Sequence, residues 1–80
     1  PERTVTRAEF AAMINRAFNR PVVRPPAAFV DVPSNYWAKG AIDRAYSMGF
    51  MTGYPGSVFR PDENIPRAQI LVSLASGLGY

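Results

Sequence analysis

Arginine is the residue type in this sequence with the most potential for binding chemistry. Eight of the nine basic residues are arginines, Lys39 is the single lysine, and the formal net charge is +3. A guanidinium can hold a carboxylate or phosphate through two parallel hydrogen bonds, whereas an ammonium group attracts anions more diffusely. Five arginines are scattered along the chain and are interpreted as solvated surface residues: Arg16, Arg20, Arg24, Arg44 and Arg60. This scatter argues against nucleic-acid binding, which concentrates basic residues on one face.

Side chains for catalysis are scarce. The sequence has no cysteine and no histidine, so it lacks a thiol nucleophile, a zinc-binding pattern and the most common general base. We predict no cofactor and no metal site. The carboxylates that could supply the acidic pair of a sugar hydrolase are Asp31, Asp43, Asp62 and Glu63. Asp43 falls on a solvent-facing helix position and Asp62 follows a loop proline, so we favour a protein that is not an enzyme.

The length limits this chain to one small domain. Its 80 residues, 48% of them hydrophobic and 19% charged, suit a folded chain that buries about 60% of its unfolded surface. The sequence contains neither an apolar run of membrane-spanning length nor a hydrophobic leader, so we predict no direct membrane insertion. Because the first residue is Pro1 and not methionine, we interpret the sequence as a piece of a longer protein.

The apolar pattern predicts a mainly α fold with long, structured loops rich in proline and glycine. Three helices are predicted, at residues 6–19, 35–48 and 67–77. The first begins with the capping box Thr6-Arg7-Ala8-Glu9, and Ser34 or Asn35 is the predicted cap of the second. Between the second and third helices we expect strand-like bridges of at most two residues.

The third predicted helix is apolar around most of its circumference. Its polar residues form one narrow strip, Gln69, Ser73 and Ser76. Such a helix is normally buried among several neighbours, and two companion helices leave part of it uncovered. We therefore predict that this chain alone is marginally stable or self-associates. Among the glycines, Gly40 predicts a close neighbour inside the second helix, and Gly77 and Gly79 are predicted stop signals.

The sequence repeats itself at an offset of 60 residues. Val5-Thr6-Arg7-Ala8-Glu9-Phe10 aligns with Ile65-Pro66-Arg67-Ala68-Gln69-Ile70, and the apolar positions that follow coincide. An identical Arg-Ala pair at two helix starts indicates an internal repeat. We interpret residues 1–20 as the closing helix of a preceding repeat and residues 21–80 as one complete repeat of a tandem array.

Several motifs occur in a family-like order along nearly the whole chain. They are Phe29-Val30-Asp31-Val32, Trp37-Ala38-Lys39-Gly40-Ala41-Ile42, the loop from Gly53 to Pro61, and the helix starts Val5 to Glu9 and Ile65 to Gln69. The sequence thereby resembles the S-layer homology (SLH) family, which combines Phe-x-Asp-Val, Trp-Ala-x-x-Ala-Ile, Gly-Tyr/Phe-Pro-Asp-Gly-x-Phe-x-Pro and Ile-Thr-Arg-Ala-Glu segments. Gly56-Ser57 and Pro66 depart from that pattern. The variant motifs are similar to those of cyanobacterial envelope proteins.

The resemblance implies a non-catalytic module that anchors an exported protein to the cell wall. SLH repeats, commonly three in tandem, bind wall-linked polysaccharide in grooves between repeats, often through a pyruvate ketal on an amino sugar. The arginine of the helix-start motif is a main ligand for the ketal carboxylate in the family, which carries over to Arg7 and Arg67. Arg7 is expected to need a preceding repeat to complete its groove. Without the resemblance, Arg7 would be interpreted as a surface residue paired with Glu2 or Glu9.

Three other residues have expected roles. Tyr54 is the candidate exposed aromatic ligand, Trp37 is expected mainly in the core with an edge at a groove, and Asp31 is expected to hydrogen-bond the backbone before the second helix. The expected partners are secondary cell wall polysaccharide or a peptidoglycan-linked glycan, and neighbouring SLH repeats. The expected location is the cell envelope, on the periplasmic side of the outer membrane if the protein is of the cyanobacterial type. The alternative function is a protein-docking module in a surface assembly.

Overall fold

The computed structural model describes residues 4–79, and its regular elements are three helices. They are α1 Arg7–Ala17, α2 Lys39–Ser47 and α3 Arg67–Leu78. Extended pairing within residues 4–79 is limited to two isolated bridges, Thr6 with Asn64 and Tyr54 with Val58. The predicted mainly α fold is therefore confirmed. None of the helices in this part of the chain is long and apolar enough to cross a membrane.

The capping box starts α1 as predicted. The Thr6 hydroxyl accepts a hydrogen bond from the Glu9 N–H at 3.1 Å, and Glu9 Oε1 accepts one from the Thr6 N–H at 2.9 Å. This reciprocal pair satisfies backbone donors that a helix start otherwise leaves free. The helix ends at Ala17, before the predicted residue 19, because Phe18 is extended (φ −130°, ψ 146°) and its ring packs 5.0 Å from the Phe50 ring.

The start of α2 differs from the prediction, because neither Ser34 nor Asn35 caps the helix. Single turns occupy the preceding residues instead. The Tyr36 N–H donates to the Pro33 carbonyl at 2.9 Å, and the Lys39 N–H donates to the Tyr36 carbonyl at 3.1 Å. The first residue of α2 is therefore Lys39.

These turns decide where Trp37 lies. Ala38, the residue before α2, is 1% exposed, whereas Trp37 is 65% exposed. Because Trp37 precedes the helix, its side chain does not follow the apolar stripe of α2. The expectation that Trp37 lies mainly in the core is wrong.

The core lies between α1, α2 and the loop that follows α2. Its largest fully buried side chains are Phe50, Phe59, Ile42 and Met48. Phe50 and Phe59 both come from the loop between α2 and α3, and the Phe59 ring packs 5.2 Å from the Phe29 ring. The loop is therefore a structural part of the domain, and its backbone is held firmly enough to position ligands.

The predicted roles of two glycines differ from those observed. A Cβ atom on Gly40 would meet no other residue within 4 Å, so the predicted close neighbour is wrong. Gly77, a predicted stop signal, lies buried inside α3, and a Cβ atom there would overlap the Phe50 ring. The helix ends one residue later at Leu78, and Gly79 supplies the left-handed cap (φ 82°). A stop at Gly79 is confirmed.

The third helix buries Ser73 and Gly77 and exposes part of its apolar surface to solvent. Its other large apolar residues are partly buried against the core: Ile70, Leu74 and Leu78. α3 rests on the loop after α2 and packs against neither α1 nor α2. Ser73 is 4% exposed, and the Ser76 hydroxyl donates to the Gly49 carbonyl at 2.8 Å. Leu71 and Val72 are 64% and 59% exposed. Part of the apolar surface of α3 is therefore uncovered within the described residues, as predicted for a helix with only two companions.

Asp31 holds the loop before α3, and not the backbone before α2 as predicted. Its carboxylate oxygens accept hydrogen bonds from the Phe59 and Arg60 N–H groups, each at 2.8 Å. Arg60 has a left-handed backbone (φ 60°), which is uncommon for a residue with a side chain. Burial raises the pKa of Asp31, but the hydrogen bonds from the two backbone N–H groups outweigh it and lower the pKa below its ordinary value of 3.8.

We expect low pH to weaken the contact between the Asp31 carboxylate and this loop. Because the folded state lowers the pKa, the Asp31 carboxylate stabilises the protein above its unfolded-state pKa, and this contribution is lost as the pH falls below about 4. Asp31→Asn should lower the free energy of unfolding at neutral pH by about 1 kcal/mol and flatten the acid side of the stability profile. Urea unfolding across this pH range measures both effects, with Asp62→Asn at an exposed position as the control. Equal acid sensitivity in Asp31→Asn and the parent would contradict this prediction.

Candidate anion-binding groove

Arg7 is the first residue of α1 and is 5% exposed. Its Nε donates to the Phe59 carbonyl at 2.8 Å, and its Nη2 donates to the Thr52 carbonyl at 2.6 Å. The guanidinium carbon lies 4.9 Å from the centre of the Tyr54 ring and 4.4 Å from that of the Phe59 ring. The loop thus fixes the plane of the guanidinium with two of its five N–H donors. Its Nη1 end makes no hydrogen bond within residues 4–79.

The surface ion pair considered for Arg7 with Glu9 is not formed. Glu9 accepts from the Thr6 N–H, and Arg7 has no carboxylate within salt-bridge distance among the described residues. Glu2, the other partner considered, lies outside those residues. Burial lowers the pKa of the Arg7 guanidinium below its ordinary value, against the weaker attraction of Tyr54 and Glu63. Arginine stays protonated in proteins, so Arg7 is a buried cation that a bound anion would stabilise.

A groove of about 150 Å³ lies beside Arg7. Its lining consists of the two arginines Arg7 and Arg24, the segment Gly49, Phe50, Met51 and Thr52, and the α3 residues Gln69, Val72, Ser73 and Ser76. The lining comes from α1 and the residues after it, whereas we expected a preceding repeat to complete this groove. Guanidinium groups bind anions, and the hydroxyl and amide groups of α3 can bind sugar hydroxyls. The chemistry of the lining therefore matches an acidic sugar.

Arg24 is the groove residue that sequence reasoning missed. It was interpreted as solvated, yet its Nε donates to the Tyr46 carbonyl at 2.9 Å and its Nη2 donates to the Met51 carbonyl at 2.7 Å. The guanidinium carbon lies 3.8 Å from the centre of the Tyr46 ring. The available signal was an arginine inside the otherwise donor-poor segment 21–26. In such a segment, a side chain with five donors is well suited to tie the chain to neighbouring carbonyls.

Tyr54 is brought together with Arg7. Its half-buried ring lies between two guanidinium groups, at 4.9 Å from Arg7 and 4.3 Å from Arg60. A guanidinium is attracted to the face of an aromatic ring. Tyr54 therefore helps to orient Arg7, and less of its ring is free for a sugar than we expected.

Arg67 and Trp37 lie apart from this groove. Arg67 is exposed at the start of α3, beside a cavity of about 450 Å³ that residues 4, 5, 64–67 and 70 line. Trp37 borders a different cavity of about 240 Å³ together with residues of α1. Neither cavity includes Arg7 or Tyr54. The structure therefore brings together two of the four candidate ligands, Arg7 and Tyr54.

Three of the four carboxylates considered for hydrolysis are engaged in other contacts. Asp31 accepts two backbone hydrogen bonds, and Asp43 forms an ion pair with Lys39 at 2.9 Å on α2. Asp62 accepts a long hydrogen bond from the Tyr36 hydroxyl at 3.4 Å. In the described part of the chain, no three acidic side chains gather in an arrangement that could hold a metal ion.

Comparison with known proteins gives one family match and several relatives. The family model described as S-layer homology domain matches residues 28–71, a span that includes Arg67 but not Arg7. The chain is 36% identical over 72 residues to Cell surface glycoprotein 1 of Acetivibrio thermocellus, covering 86% of this chain and 3% of that protein. It is 41% identical over 70 residues to endo-1,4-beta-xylanase A of Thermoanaerobacterium saccharolyticum, covering 88% and 6%.

A third relative carries a different description. The chain is 43% identical over 56 residues to Outer membrane protein SlpA of Deinococcus radiodurans, covering 69% of this chain and 5% of that protein. The chain therefore spans between 3% and 6% of the length of these three relatives. No solved structure matches the chain.

Proposed function

Since this chain belongs to the S-layer homology domain family, we propose that it is a non-catalytic module that anchors a larger protein in the cell envelope, outside the cytoplasm. Similar segments occur in a surface glycoprotein and in a xylanase, where they make up 3% and 6% of the length. A segment shared by proteins of such different kinds supports a role in location and not in a reaction. The similarity to a protein named Outer membrane protein SlpA supports an association with the outer membrane. We propose the periplasmic side of that membrane as the location in a host of the cyanobacterial type.

The proposed ligand is a wall-linked polysaccharide that carries pyruvate ketals. The observation that carries this proposal is the buried Arg7 guanidinium, which two backbone carbonyls hold at the groove. Its Nη1 donors make no hydrogen bond within residues 4–79. A ketal carboxylate would bind the free Nη1 end, and the sugar hydroxyls would meet Gln69 and Ser73 of α3. Arg67, Trp37 and Tyr54 remain proposed ligands, and each lines a cavity other than the groove beside Arg7.

Calorimetry with purified wall polysaccharide tests this function. We expect binding that falls at least about tenfold when the pyruvate ketals are removed, because a charge-assisted hydrogen bond in a partly desolvated groove is lost. The length of the polysaccharide should stay unchanged after incubation, and a shortened product would indicate a hydrolase instead. Binding to cell envelopes that survives removal of all wall carbohydrate would contradict the proposal and favour the protein-docking alternative.

We also propose that residues 1–20 close a preceding repeat and that residues 21–80 form one repeat of a tandem array. The buried residues of α1 are Arg7, Ala8, Phe10, Ala11 and Ile14. Their equivalents 60 residues later on α3 are Arg67, Ala68, Ile70, Leu71 and Leu74, all of which are exposed or half-buried. The same face is thus covered on α1 by α2 and the loop that follows α2, and is only partly covered on α3. The proposed occupant of this α3 face is the α2-type helix and loop of a following repeat.

This uncovered face predicts self-association of the isolated chain. Leu71 is 64% exposed, and exposed apolar patches on a helix drive association. We expect dimers or larger species at high concentration in sedimentation experiments, and a shift toward monomers in Leu71→Gln. Val30→Gln, at a loop position that is 74% exposed, is the matched control and should leave association unchanged.

A tandem variant distinguishes association through a specific face of α3 from nonspecific association. When a second copy of residues 21–80 follows the first, the α3 face of the first copy should become protected in hydrogen exchange. A parent chain that remains monomeric at high concentration would contradict the prediction.

A further inference from the structure

A second cavity continues the groove past Arg24. It has a volume of about 400 Å³ and shares Arg24, Gly49 and Ser76 with the groove beside Arg7. Arg20 also lines this second cavity. Among residues 4–79, no acidic residue lines either cavity. The wall of α3 therefore faces three arginines, and nothing in the described lining offsets their positive charge.

Arg24 is held in the same way as Arg7. In both residues, Nε and Nη2 each donate to a backbone carbonyl, and the guanidinium lies over a tyrosine ring. Neither has a salt-bridge partner among residues 4–79. A guanidinium that is already fixed loses little conformational freedom when it binds a carboxylate. Carbonyl contacts leave its full positive charge, and its Nη1 donors, available to an anion.

We propose that Arg24, with Arg20 beside it, forms a second anionic subsite, so that the groove takes a glycan strand carrying two acidic groups. This inference rests on the proposed function, because it places the first acidic group at Arg7. The second acidic group would meet Arg24 where the two cavities adjoin. The Ser76 hydroxyl, which donates to the Gly49 carbonyl, keeps lone pairs that accept from a sugar hydroxyl between the two subsites.

Two small probes separate the two subsites in calorimetry. The first is an amino-sugar monosaccharide with one pyruvate ketal, and the second is a disaccharide with a ketal on each sugar. We expect the parent to bind the disaccharide about tenfold more tightly. Because Arg24 also lines the groove beside Arg7, Arg24→Gln should remove that gain by weakening disaccharide binding by a larger factor than monosaccharide binding.

Two further variants keep the test independent of the folding of Arg24→Gln. Arg20 is exposed, so Arg20→Gln should fold normally and weaken disaccharide binding about threefold through its charge. Arg16→Gln removes the same charge from an exposed position of α1 that lines neither cavity. This control should change both affinities by less than about twofold.

The outcomes separate this inference from the proposed function. If neither probe binds the parent, the proposed function fails. If the monosaccharide binds and the disaccharide binds no more tightly, the second subsite is wrong. An Arg24→Gln variant that weakens both probes equally, together with an unaffected Arg20→Gln, would assign Arg24 a structural role and overturn the inference.

Discussion

Arg7→Ala is expected to lower the free energy of unfolding by about 3 kcal/mol and to abolish binding of pyruvylated polysaccharide. The stability loss follows because the carbonyls of Phe59 and Thr52 lose charge-assisted donors in a buried position. The binding loss follows because the groove loses its buried guanidinium. Chemical unfolding and calorimetry measure the two effects on the same sample.

The two effects of Arg7 are separated by Arg7→Lys. Lysine keeps the positive charge but cannot make the two-pronged contact, so we expect a clear loss of affinity with a smaller loss of stability than in Arg7→Ala. Arg16→Ala, at an exposed position of α1, is the control and should change stability by less than about 0.5 kcal/mol. Unchanged stability in Arg7→Ala would contradict the buried contacts, and unchanged affinity would return Arg7 to a purely structural role.

Gly77→Ala is expected to destabilise the protein by about 3 kcal/mol. A Cβ atom at this buried position would overlap the Phe50 ring, which is itself 2% exposed and packed 5.0 Å from Phe18. To accommodate the Cβ atom, the ring must leave its contact with Phe18 or α3 must shift away from the loop. Because α3 forms one wall of the groove, we expect the same variant to weaken ligand binding. Thermal unfolding and calorimetry test both consequences.

Gly40→Ala is the matched control for this steric argument. Gly40 also lies inside a helix, but a Cβ atom there meets no other residue within 4 Å. Alanine favours a helix by about 1 kcal/mol over glycine, so Gly40→Ala should stabilise the protein. Opposite signs for the two variants are the expected result. If Gly77→Ala also stabilises, the close contact of α3 with Phe50 is wrong.

The sequence alone determined the three helices, and it determined where a helix begins when local interactions control that start. The reciprocal hydrogen bonds of Thr6 and Glu9 span three residues, and they started α1 where the capping box predicted. The third helix begins at Arg67 as predicted, and Gly79 ends it. The order of motifs also identified the family, which the match over residues 28–71 confirms. These features depend on neighbouring residues or on the order of residue types, and both are present in the sequence.

The tertiary structure alone decided the contacts that assemble the groove. Arg7 meets the Phe59 carbonyl across 52 positions of sequence, and Arg24 meets the Met51 carbonyl across 27. A helical wheel measures how much of α3 is apolar. It does not reveal that the Phe50 ring leaves no room for a side chain larger than that of glycine at position 77. That steric limit places the small residues Ser73 and Gly77 of α3 inward, and it leaves Leu71 and Val72 exposed. Contacts between distant residues depend on shape and backbone position, which a linear pattern of residue types does not contain.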